Sequence, residues 1–480
     1  MDSMHKPLNE AWWIFLALAA LAGCATNPVT GDKNFVLMSE AQEIDLGRQY
    51  HQEVLKQYKV YDDPELAVLV DKVGQELAAK SHRSNLDFHF TLLDSPEVNA
   101  FALPGGYVYI TRGIVAYMNR EEELAGVLGH EIGHVTARHS VRQQAAATTA
   151  GLLGAVATVV TGSNTVGQLS NQVGGALVSG YGRGHELEAD RLGAEYLARA
   201  GYDPRMMLEV VGILKDQEAF EKQRAAEEGR EPRIYHGVFS THPDNDRRLQ
   251  EVIEAAEKFR NPEPRRSDPA RFLAVLDGLT FGDSEDQGIV SGNRFYHKNL
   301  NFRIIFPPGW RVENRPEQLL AVQPGESAVF LVRLDQTDGR ESADAYLRRK
   351  FGNLTRGQSL DGDSYTGLTT GKNPFGTGTI RVAAASRGDK MYVFYGAARG
   401  PIPEKKFFDT VRSLRQLTKQ ERALATAKHI ELVRAGPGDT FSSMARQSDL
   451  GKYTESQLRL LNGKFPDGEP QAAQLIKIVR

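Results

Sequence analysis

The sequence contains a single cysteine, Cys24, among 480 residues. This scarcity excludes an intramolecular disulfide and a cysteine-rich metal cluster, so any bound metal must rely on histidine and carboxylate ligands. Basic residues are not in excess either. The chain has 58 Lys and Arg residues and 61 Asp and Glu residues, so its formal charge is −3. A chain that neutralises phosphates usually shows such an excess, and we therefore expect no nucleic-acid partner.

The apolar run near the start is too short to span a bilayer. Residues 11–22 (AWWIFLALAALA) form twelve uncharged positions, whereas a membrane-spanning helix needs about 20. A run of this length is typical of the core of a signal peptide, and a short anchor helix is the alternative.

The residues that end this region, 21–24 (LAGC), resemble the lipobox of bacterial lipoproteins. The resemblance implies that residues 1–23 are a lipoprotein signal peptide and that lipid is attached to Cys24, which becomes the mature N-terminus. Because Ala25 follows the cysteine, it also implies attachment to the periplasmic face of the outer membrane. An ordinary signal peptide with a chance cysteine is the alternative.

The chain length predicts two to four domains, at about 100–200 residues each. Residues 261–269 (NPEPRRSDP) place three prolines among charges, which predicts a linker over 261–270. We therefore expect a first domain over 24–260, a second over 271–418 with short strands and Gly and Pro turns, and a small unit over 428–480.

Local signals predict several elements of the first domain. Ser39 and Gln42 form a capping box that predicts a helix to about Tyr58, and Pro64 opens a second helix. Residues 107–111 (YVYIT) predict a strand that could accept an extended substrate at its edge, with a buried core strand as the alternative.

Between Arg142 and Arg183 lie forty residues without a charged side chain or a histidine. Their content of Ala, Gly, Thr and Ser favours a tightly packed helical pair over the functional site. A hairpin that dips into a membrane is the alternative, although the apolar run is short for lipid exposure.

The strongest chemical signal is residues 130–134, His-Glu-Ile-Gly-His, in a helix that begins near Asn119, a candidate N-cap. On a helix, positions i and i+4 lie about 40° apart around the axis, so both imidazoles face one point. Glu131 is offset by one residue and can reach a water bound to the same ion. Two imidazoles and a nearby carboxylate are the groups that zinc-assisted hydrolysis requires, whereas two helical histidines alone are more often structural.

A catalytic zinc ion needs a third protein ligand beside two histidines. Residues 185–190 (HELEAD) begin another alanine-rich helix, in which Glu186 and Asp190 share a face at i and i+4 spacing. One of them can bind the metal while the other hydrogen-bonds a ligand imidazole. A solvated acidic helix start is the alternative, and this is the interpretation that we give to Glu188 and Glu195.

Together these segments resemble the Ste24/HtpX-like zinc metallopeptidases, in the bacterial envelope branch of the BepA and LoiP kind. The resemblance covers about residues 27–258 and rests also on residues 27–31 (NPVTG) and 99–106 (NAFALPGG). It implies one zinc ion per chain and an intact set of catalytic residues. The implied zinc ligands are His130, His134 and Glu186, the general base is Glu131, and the supporting catalytic residue is Asp190.

The same resemblance implies roles for residues downstream of the zinc helices. In relatives of the BepA kind, a histidine at the position of His242 can occupy the open zinc position, so His242 is a candidate fourth ligand or gate. Arg248 is a candidate for polarising the scissile carbonyl or for steadying this loop. His139, His185 and His236 match no ligand position, and we expect them to be surface or supporting residues.

The later parts of the chain resemble binding modules. Residues 295–331 are similar to a Mog1/PsbP-like α/β domain, and residues 430–479 are similar to a LysM-like βααβ unit of the kind that generally binds N-acetylglucosamine glycans. The expected fold class is therefore α+β. We expect a mostly helical gluzincin metallopeptidase domain with a small edge sheet, then a Mog1/PsbP-like α/β domain and a small LysM-like unit.

These features predict a zinc metalloendopeptidase at the outer membrane that hydrolyses peptide bonds of misfolded or stalled envelope proteins. The resemblance alone implies these substrates, and the LysM-like tail predicts contact with peptidoglycan. Two alternatives stay open, namely a peptidoglycan-directed hydrolase and a latent chaperone or binding scaffold of the envelope.

Overall fold

A computed structural model describes residues 24–26, 28–29, 31, 33–35, 38–145, 181–232, 252, 254–259 and 263–480, except 316–317, 338 and 449. The chain forms two compact units. The first comprises Met1–Ala225, Glu231–Leu279 and Ile430–Arg480, and the second comprises Ala226–Arg230 and Thr280–His429. Among the described residues, no helix combines the length and the apolar character needed to cross a bilayer.

The described part of the first unit is mostly helical. Before the C-terminal segment, it contains α1 (Glu40–Gln57), α2 (Pro64–Ala78), α3 (Arg112–Val115), α4 (Glu121–Thr136), α5 (Arg183–Arg199), α6 (Met206–Glu227) and α7 (Pro269–Val275). Ser39 caps α1 and exchanges hydrogen bonds with Gln42, so the predicted capping box is confirmed. Asp63 caps α2 immediately before Pro64.

The start of α4 differs from the prediction. Asn119 is not its N-cap, because Arg120 takes that position and makes no capping hydrogen bond through its side chain. Instead, the main-chain N–H of Asn119 donates to Oε2 of Glu123 at 2.6 Å. The carboxylate of Glu123 therefore pairs with the main-chain N–H just before the N-cap, and no side chain takes the expected capping role.

The strands in the N-terminal part of the first unit form two small sheets. They are β1 (Cys24–Thr26), β2 (Lys33–Phe35), β3 (His89–Leu93), β4 (Ala100–Leu103) and β5 (Tyr107–Thr111). β1 pairs with β2, and β5 is the central strand between β3 and β4, with all five of its residues buried. The prediction that β5 accepts substrate at an edge is therefore wrong, since both of its edges are already paired. The edge strands of this sheet are β3 and β4.

The second unit mixes helices with a large antiparallel sheet. Its strands are β6 (Thr280–Phe281), β7 (Ile289–Ser291), β8 (Arg294–His297), β9 (Phe302–Ile305), β10 (Arg311–Arg315), β11 (Gln318–Val322), β12 (Ala328–Gln336), β13 (Thr355–Asp361), β14 (Ser364–Asn373), β15 (Gly376–Arg387) and β16 (Lys390–Ala398). Its helices are α8 (Ala343–Phe351), α9 (Glu404–Arg412) and α10 (Lys419–Leu424).

Seven of these strands form one sheet in the order β10-β11-β12-β16-β15-β14-β13, and β7-β8-β9 form a smaller one. Phe302, Trp310, Phe330 and Phe407 belong to the apolar core of this unit. The combination of helices and sheets in the chain confirms the α+β class. The likeness of this unit to Mog1/PsbP domains stays a prediction.

The C-terminal segment belongs to the first unit from Ile430 onwards. It runs through β17 (Lys428–Arg434), α11 (Phe441–Met444), α12 (Thr454–Leu461) and β18 (Leu475–Val479), and β17 pairs antiparallel with β18. Phe220 of α6 makes edge-to-face contacts with Tyr453 and Phe465, so this segment packs against a helix of the first unit. The order of its elements is βααβ, and its likeness to a LysM module stays a prediction.

The predicted linker is tied to the first unit by ion pairs and hydrogen bonds. The guanidinium of Arg265 contacts Glu76 at 2.8 Å and Glu121 at 2.9 Å. Ser267 donates to Glu122 through both its main-chain N–H and its hydroxyl. The domain limits expected from the sequence stay predictions.

Lys477 of β18 is a fully buried cation within the first unit. Its Nζ donates hydrogen bonds to the main-chain oxygens of Ala116 and Met118, both at 2.7 Å, and none of its surface is exposed. Burial lowers the pKa of Lys477, and attraction to the carboxylate of Glu123 opposes this shift. The segment between α3 and α4 is therefore held to β18 by groups that water does not reach.

Replacing Lys477 by methionine would keep most of the side-chain length and remove Nζ. The carbonyl groups of Ala116 and Met118 and the carboxyl of Glu123 would then lose a buried partner. We expect the free energy of unfolding to fall by about 3 kcal/mol, as measured from urea unfolding curves. The matched control is Lys452→Met at an exposed site of the same segment, where we expect a change within about 0.5 kcal/mol. Equal losses in both variants would contradict this prediction.

Candidate metal centre

Two helices of the first unit supply the candidate ligands. α4 carries His130 and His134, and α5 carries Glu186 in its first turn. The two histidine Nε2 atoms are 3.0 Å apart, and they lie 3.6 and 3.5 Å from the carboxylate oxygens of Glu186. All three residues are buried, and one donor atom of each lies within 4.8 Å of the others. No second group of this kind occurs in the part of the chain that the structure describes.

The close approach of α4 and α5 depends on glycines. A Cβ atom on Gly133 would lie 2.9 Å from the main-chain oxygen of Ala189, and a Cβ on Gly129 would lie 3.4 Å from that of Gly193. A larger residue at position 133 would therefore push the helices apart. Because Glu186 lies about one turn before Ala189, this contact brings its carboxylate to the two imidazoles.

Asp190 sets the orientation of His130. Its Oδ1 lies 2.8 Å from Nδ1 of His130, and its side chain is buried. A carboxylate that faces Nδ1 favours the tautomer with the proton on that nitrogen, so Nε2 presents its lone pair towards Glu186. The structure thus places Glu186 against both imidazoles and Asp190 behind one of them.

The donor set fits a zinc ion. Two imidazole lone pairs and an ionised carboxylate repel one another at these distances unless a cation lies among them. Imidazole nitrogen and carboxylate oxygen are ligands that zinc accepts, and three protein ligands leave one position open for water. His130, His134 and Glu186 are therefore the residues that would hold the ion.

Two further groups lie at the candidate centre. Glu131 follows the first histidine on α4 and is 2% exposed. Tyr181 stacks on the ring of His134, with the ring centroids 4.0 Å apart, and its hydroxyl lies 2.7 Å from Oγ of Ser140. Burial raises the pKa of Tyr181, the hydrogen bond to Ser140 lowers it, and the carboxylates of Glu131 and Glu186 raise it further. No pattern in the sequence indicated Tyr181.

The edge strand β4 lies beside His134 at a depression that is too small to hold a water molecule. Ala102 and Leu103 of β4 line this depression, together with Tyr181 and Arg138. Since β5 pairs with only one side of β4, an extended peptide that added to the other side would pass His134.

His139 contacts His134 at Nδ1 of the His134 ring, whereas Nε2 of that ring faces Glu186. The Nδ1 atoms of the two histidines are 2.8 Å apart, and Nε2 of His139 lies 3.1 Å from Oε2 of Glu188. Arg142 donates to the same carboxylate oxygen at 2.8 Å. Burial raises the pKa of Glu188, but hydrogen bonds from His139 and Arg142 outweigh burial and lower it to about 2. The interpretation of Glu188 as a solvated acid is therefore wrong. The same interpretation of Glu195 is also wrong, because its side chain is 13% exposed and pairs with Arg199.

The remaining predicted site residues are placed as follows. The structure brings together His130, His134, Glu186 and Asp190, and it buries Glu131 next to His130 on α4. His242 and Arg248 lie outside the described residues, as does His236, and their roles stay predictions. Cys24 lies in β1, and its lipidation also stays a prediction.

Comparison with known proteins relates this geometry to a family. Residues 65–256 match the model of peptidase family M48. The chain is 32% identical over 272 residues to the beta-barrel assembly-enhancing protease of Yersinia pestis. The aligned region covers 55% of this chain and 54% of that protein. It is 30% identical over 252 residues to the protein of the same name from Escherichia coli (strain K12), and this region covers 49% of this chain and 48% of that protein.

A third relative is the mitochondrial metalloendopeptidase OMA1 of Arabidopsis thaliana, which is 33% identical over a shorter region of 152 residues. This region covers 32% of this chain and 30% of that protein. The chain therefore spans about half the length of the bacterial relatives that it matches. The matched region contains α4 and α5, and with them the three candidate ligands. Residues 65–256 thus match peptidase family M48, and the chain is similar over about half of its length to bacterial beta-barrel assembly-enhancing proteases.

Proposed function

We propose that this chain is a zinc metalloendopeptidase that hydrolyses peptide bonds of misfolded or stalled envelope proteins at the outer membrane. The observation that carries the proposal is the buried group of His130, His134 and Glu186, with Glu131 beside it, inside the region that matches family M48. The names of the relatives describe a beta-barrel assembly-enhancing protease and a metalloendopeptidase. These names support the reaction and the class of substrate.

Each residue around the ligands would have a separate role in peptide hydrolysis. When bound, zinc supplies Lewis acidity and lowers the pKa of water towards about 7. Glu131 accepts the proton of the attacking water and delivers it to the leaving amine nitrogen. Asp190 holds the proton of His130 on Nδ1, so that Nε2 is free to coordinate. Tyr181 covers one face of the His134 ring.

The position of β4 supports cleavage of extended chains. A peptide that pairs with this strand through main-chain hydrogen bonds would run past His134. Main-chain pairing depends little on side-chain identity, so unfolded segments of many sequences would fit. Folded proteins, whose strands and helices already use these groups, would be poor substrates.

The remaining predicted residues would regulate and locate the enzyme. His242 would close the open zinc position in the resting state, and Arg248 would contact the substrate carbonyl or its own loop. Lipid on Cys24 would hold the protein at the periplasmic face of the outer membrane. Residues 428–480 would bring it into contact with peptidoglycan.

Unfolded protein is the expected substrate of the purified chain loaded with zinc. We expect reduced and carboxymethylated lactalbumin to be cleaved at least about ten times faster than the native protein, because a folded chain is cut only when it opens. Mass spectrometry of the new amino termini measures both rates.

Purified peptidoglycan sacculi serve as the second substrate in the same experiment. We expect no release of soluble fragments from them. Release of such fragments, with unfolded lactalbumin left intact, would contradict the proposed function and favour a peptidoglycan-directed hydrolase.

A further inference from the structure

We propose that His139 is a positioning residue for the metal centre. His139 accepts a hydrogen bond from Nδ1 of His134 and so directs Nε2 of the His134 imidazole towards the metal. Glu188 and Arg142 hold His139 in this orientation. This inference rests on the proposed zinc site, and it extends that site to residues that match no ligand pattern.

The hydrogen bonds of this group have one consistent arrangement of protons. Arg142 donates to Glu188, and because the carboxylate can only accept, Nε2 of His139 carries the proton that faces it. His139 is fully buried and stacks on the imidazole of His185 with centroids 4.3 Å apart, surroundings that disfavour a positive charge on it. Its Nδ1 is therefore an acceptor. At 2.8 Å, Nδ1 of His134 must donate to it, which leaves the lone pair of that imidazole on Nε2.

A break in the helix brings His139 to this position. On a continuous helix, a residue five positions after His134 would lie about 140° around the axis and could not face it. However, α4 ends at Thr136, and Arg138 has a φ of 57°, in the left-handed region that residues other than glycine rarely adopt. The following helical turn therefore starts in a new direction.

Buried contacts of its side chain stabilise this unusual backbone at Arg138. The guanidinium donates to Oε2 of Glu43 at 2.7 Å and to the main-chain oxygen of Met38 at 3.0 Å. Arg83 donates to the other oxygen of the same carboxylate at 2.8 Å. Helix α1 thus fixes the turn that presents His139 to the ligand.

The two ligand histidines receive equivalent support by different routes. Nδ1 of His130 faces the carboxylate of Asp190 directly, whereas Nδ1 of His134 faces the carboxylate of Glu188 through the imidazole of His139. Partners of this kind fix the tautomer and the ring orientation of a ligand, and their loss typically weakens metal binding by about 10–100-fold.

Two substitutions of His139 separate hydrogen bonding from packing. His139→Phe keeps the ring that stacks on His185 and removes both nitrogens. His139→Asn is smaller but places an oxygen at the same number of bonds from Cα as Nδ1, and so keeps an acceptor for His134. The matched control is Glu195→Gln, on the same helix as Glu188, where the carboxylate pairs with Arg199.

Zinc affinity of the full chain, measured by competition with a chelator of known affinity, is the main readout. We expect His139→Phe to weaken zinc binding by about 10–100-fold and His139→Asn to weaken it less than about threefold. Glu195→Gln should bind like the wild type. The visible absorption of the cobalt-substituted chain gives a second readout, because it reports the geometry of the ligands, and we expect it to change in His139→Phe alone.

Unchanged zinc affinity in His139→Phe would overturn the inference, and so would equal losses in the Phe and Asn variants. If His139→Phe does not fold, Glu188→Leu decides instead, since it removes the carboxylate that orients His139, and the expected loss is about tenfold. A wild-type chain that binds no zinc would overturn both this inference and the proposed function. A wild type that binds zinc but cleaves no unfolded protein would overturn the proposed function alone, because the affinities would still test His139.

Discussion

Replacing Glu131 by glutamine is expected to lower the rate of peptide cleavage by about 10²–10⁴-fold, the usual contribution of a general base. Glutamine has nearly the same shape as glutamate but cannot accept the proton of the attacking water. Glu131 lies beside the ligands and does not belong to the group of donor atoms, so zinc should stay bound. Cleavage of unfolded lactalbumin and the zinc content of the same preparation measure the two effects together.

Glu122→Gln is the matched control for this variant. Glu122 lies on the same helix, nine residues earlier and about 13 Å along the axis, and its carboxylate accepts hydrogen bonds from Ser267. We expect its rate to stay near that of the wild type. A Glu131→Gln protein that retains more than about a tenth of the wild-type rate would remove Glu131 from the mechanism.

Replacing Glu186 by alanine is expected to abolish both zinc binding and cleavage. The variant would keep two imidazoles but lose the only negatively charged donor of the group, and a catalytic zinc site needs three protein ligands. The loss of affinity should exceed the 10–100-fold that is typical of residues behind the ligands.

Thermal unfolding with and without zinc gives an independent measure of this loss. At a zinc concentration about 100 times the Kd, binding stabilises the folded chain by about 2.7 kcal/mol. We therefore expect zinc to raise the unfolding temperature of the wild type and of Glu195→Ala, a control on the same helix, and to leave that of Glu186→Ala unchanged. Equal responses in all three proteins would show that Glu186 is not a ligand.

The candidate ligands could be predicted because their geometry is local. His130 and His134 lie four residues apart on one helix, and the same spacing places Glu186 and Asp190 on one face of another. Helical periodicity alone therefore brings each pair together. That the two helices meet through Gly133 and Ala189 could not be predicted from the spacing, because it depends on tertiary packing.

The roles of His139 and Glu188 could not be predicted for a different reason. Their contact depends on the left-handed backbone of Arg138, which only distant residues such as Glu43 stabilise. If the helix continued through Arg138, His139 would lie on a different face from His134. Regular periodicity cannot predict the position of a side chain when that position depends on one unusual backbone torsion angle.

Strand pairing and the C-terminal contact show the same limit. The residues of β5 predict a strand, but whether a strand is central or at an edge depends on its neighbours. A lysine near the end of a chain would normally be read as exposed, yet Lys477 is buried against the carbonyl groups of Ala116 and Met118. Both features arise from contacts between residues that are distant in sequence.

Titration of the metal-free chain with zinc, with cleavage of unfolded lactalbumin as the readout, tests the central claim most directly. We expect the rate to rise from background in proportion to added zinc and to level off at one ion per chain, as the single group of three ligands among the described residues requires. A metal-free chain that cleaves at the full rate, or a zinc-saturated chain that does not cleave, would contradict the claim that these residues form a zinc peptidase site.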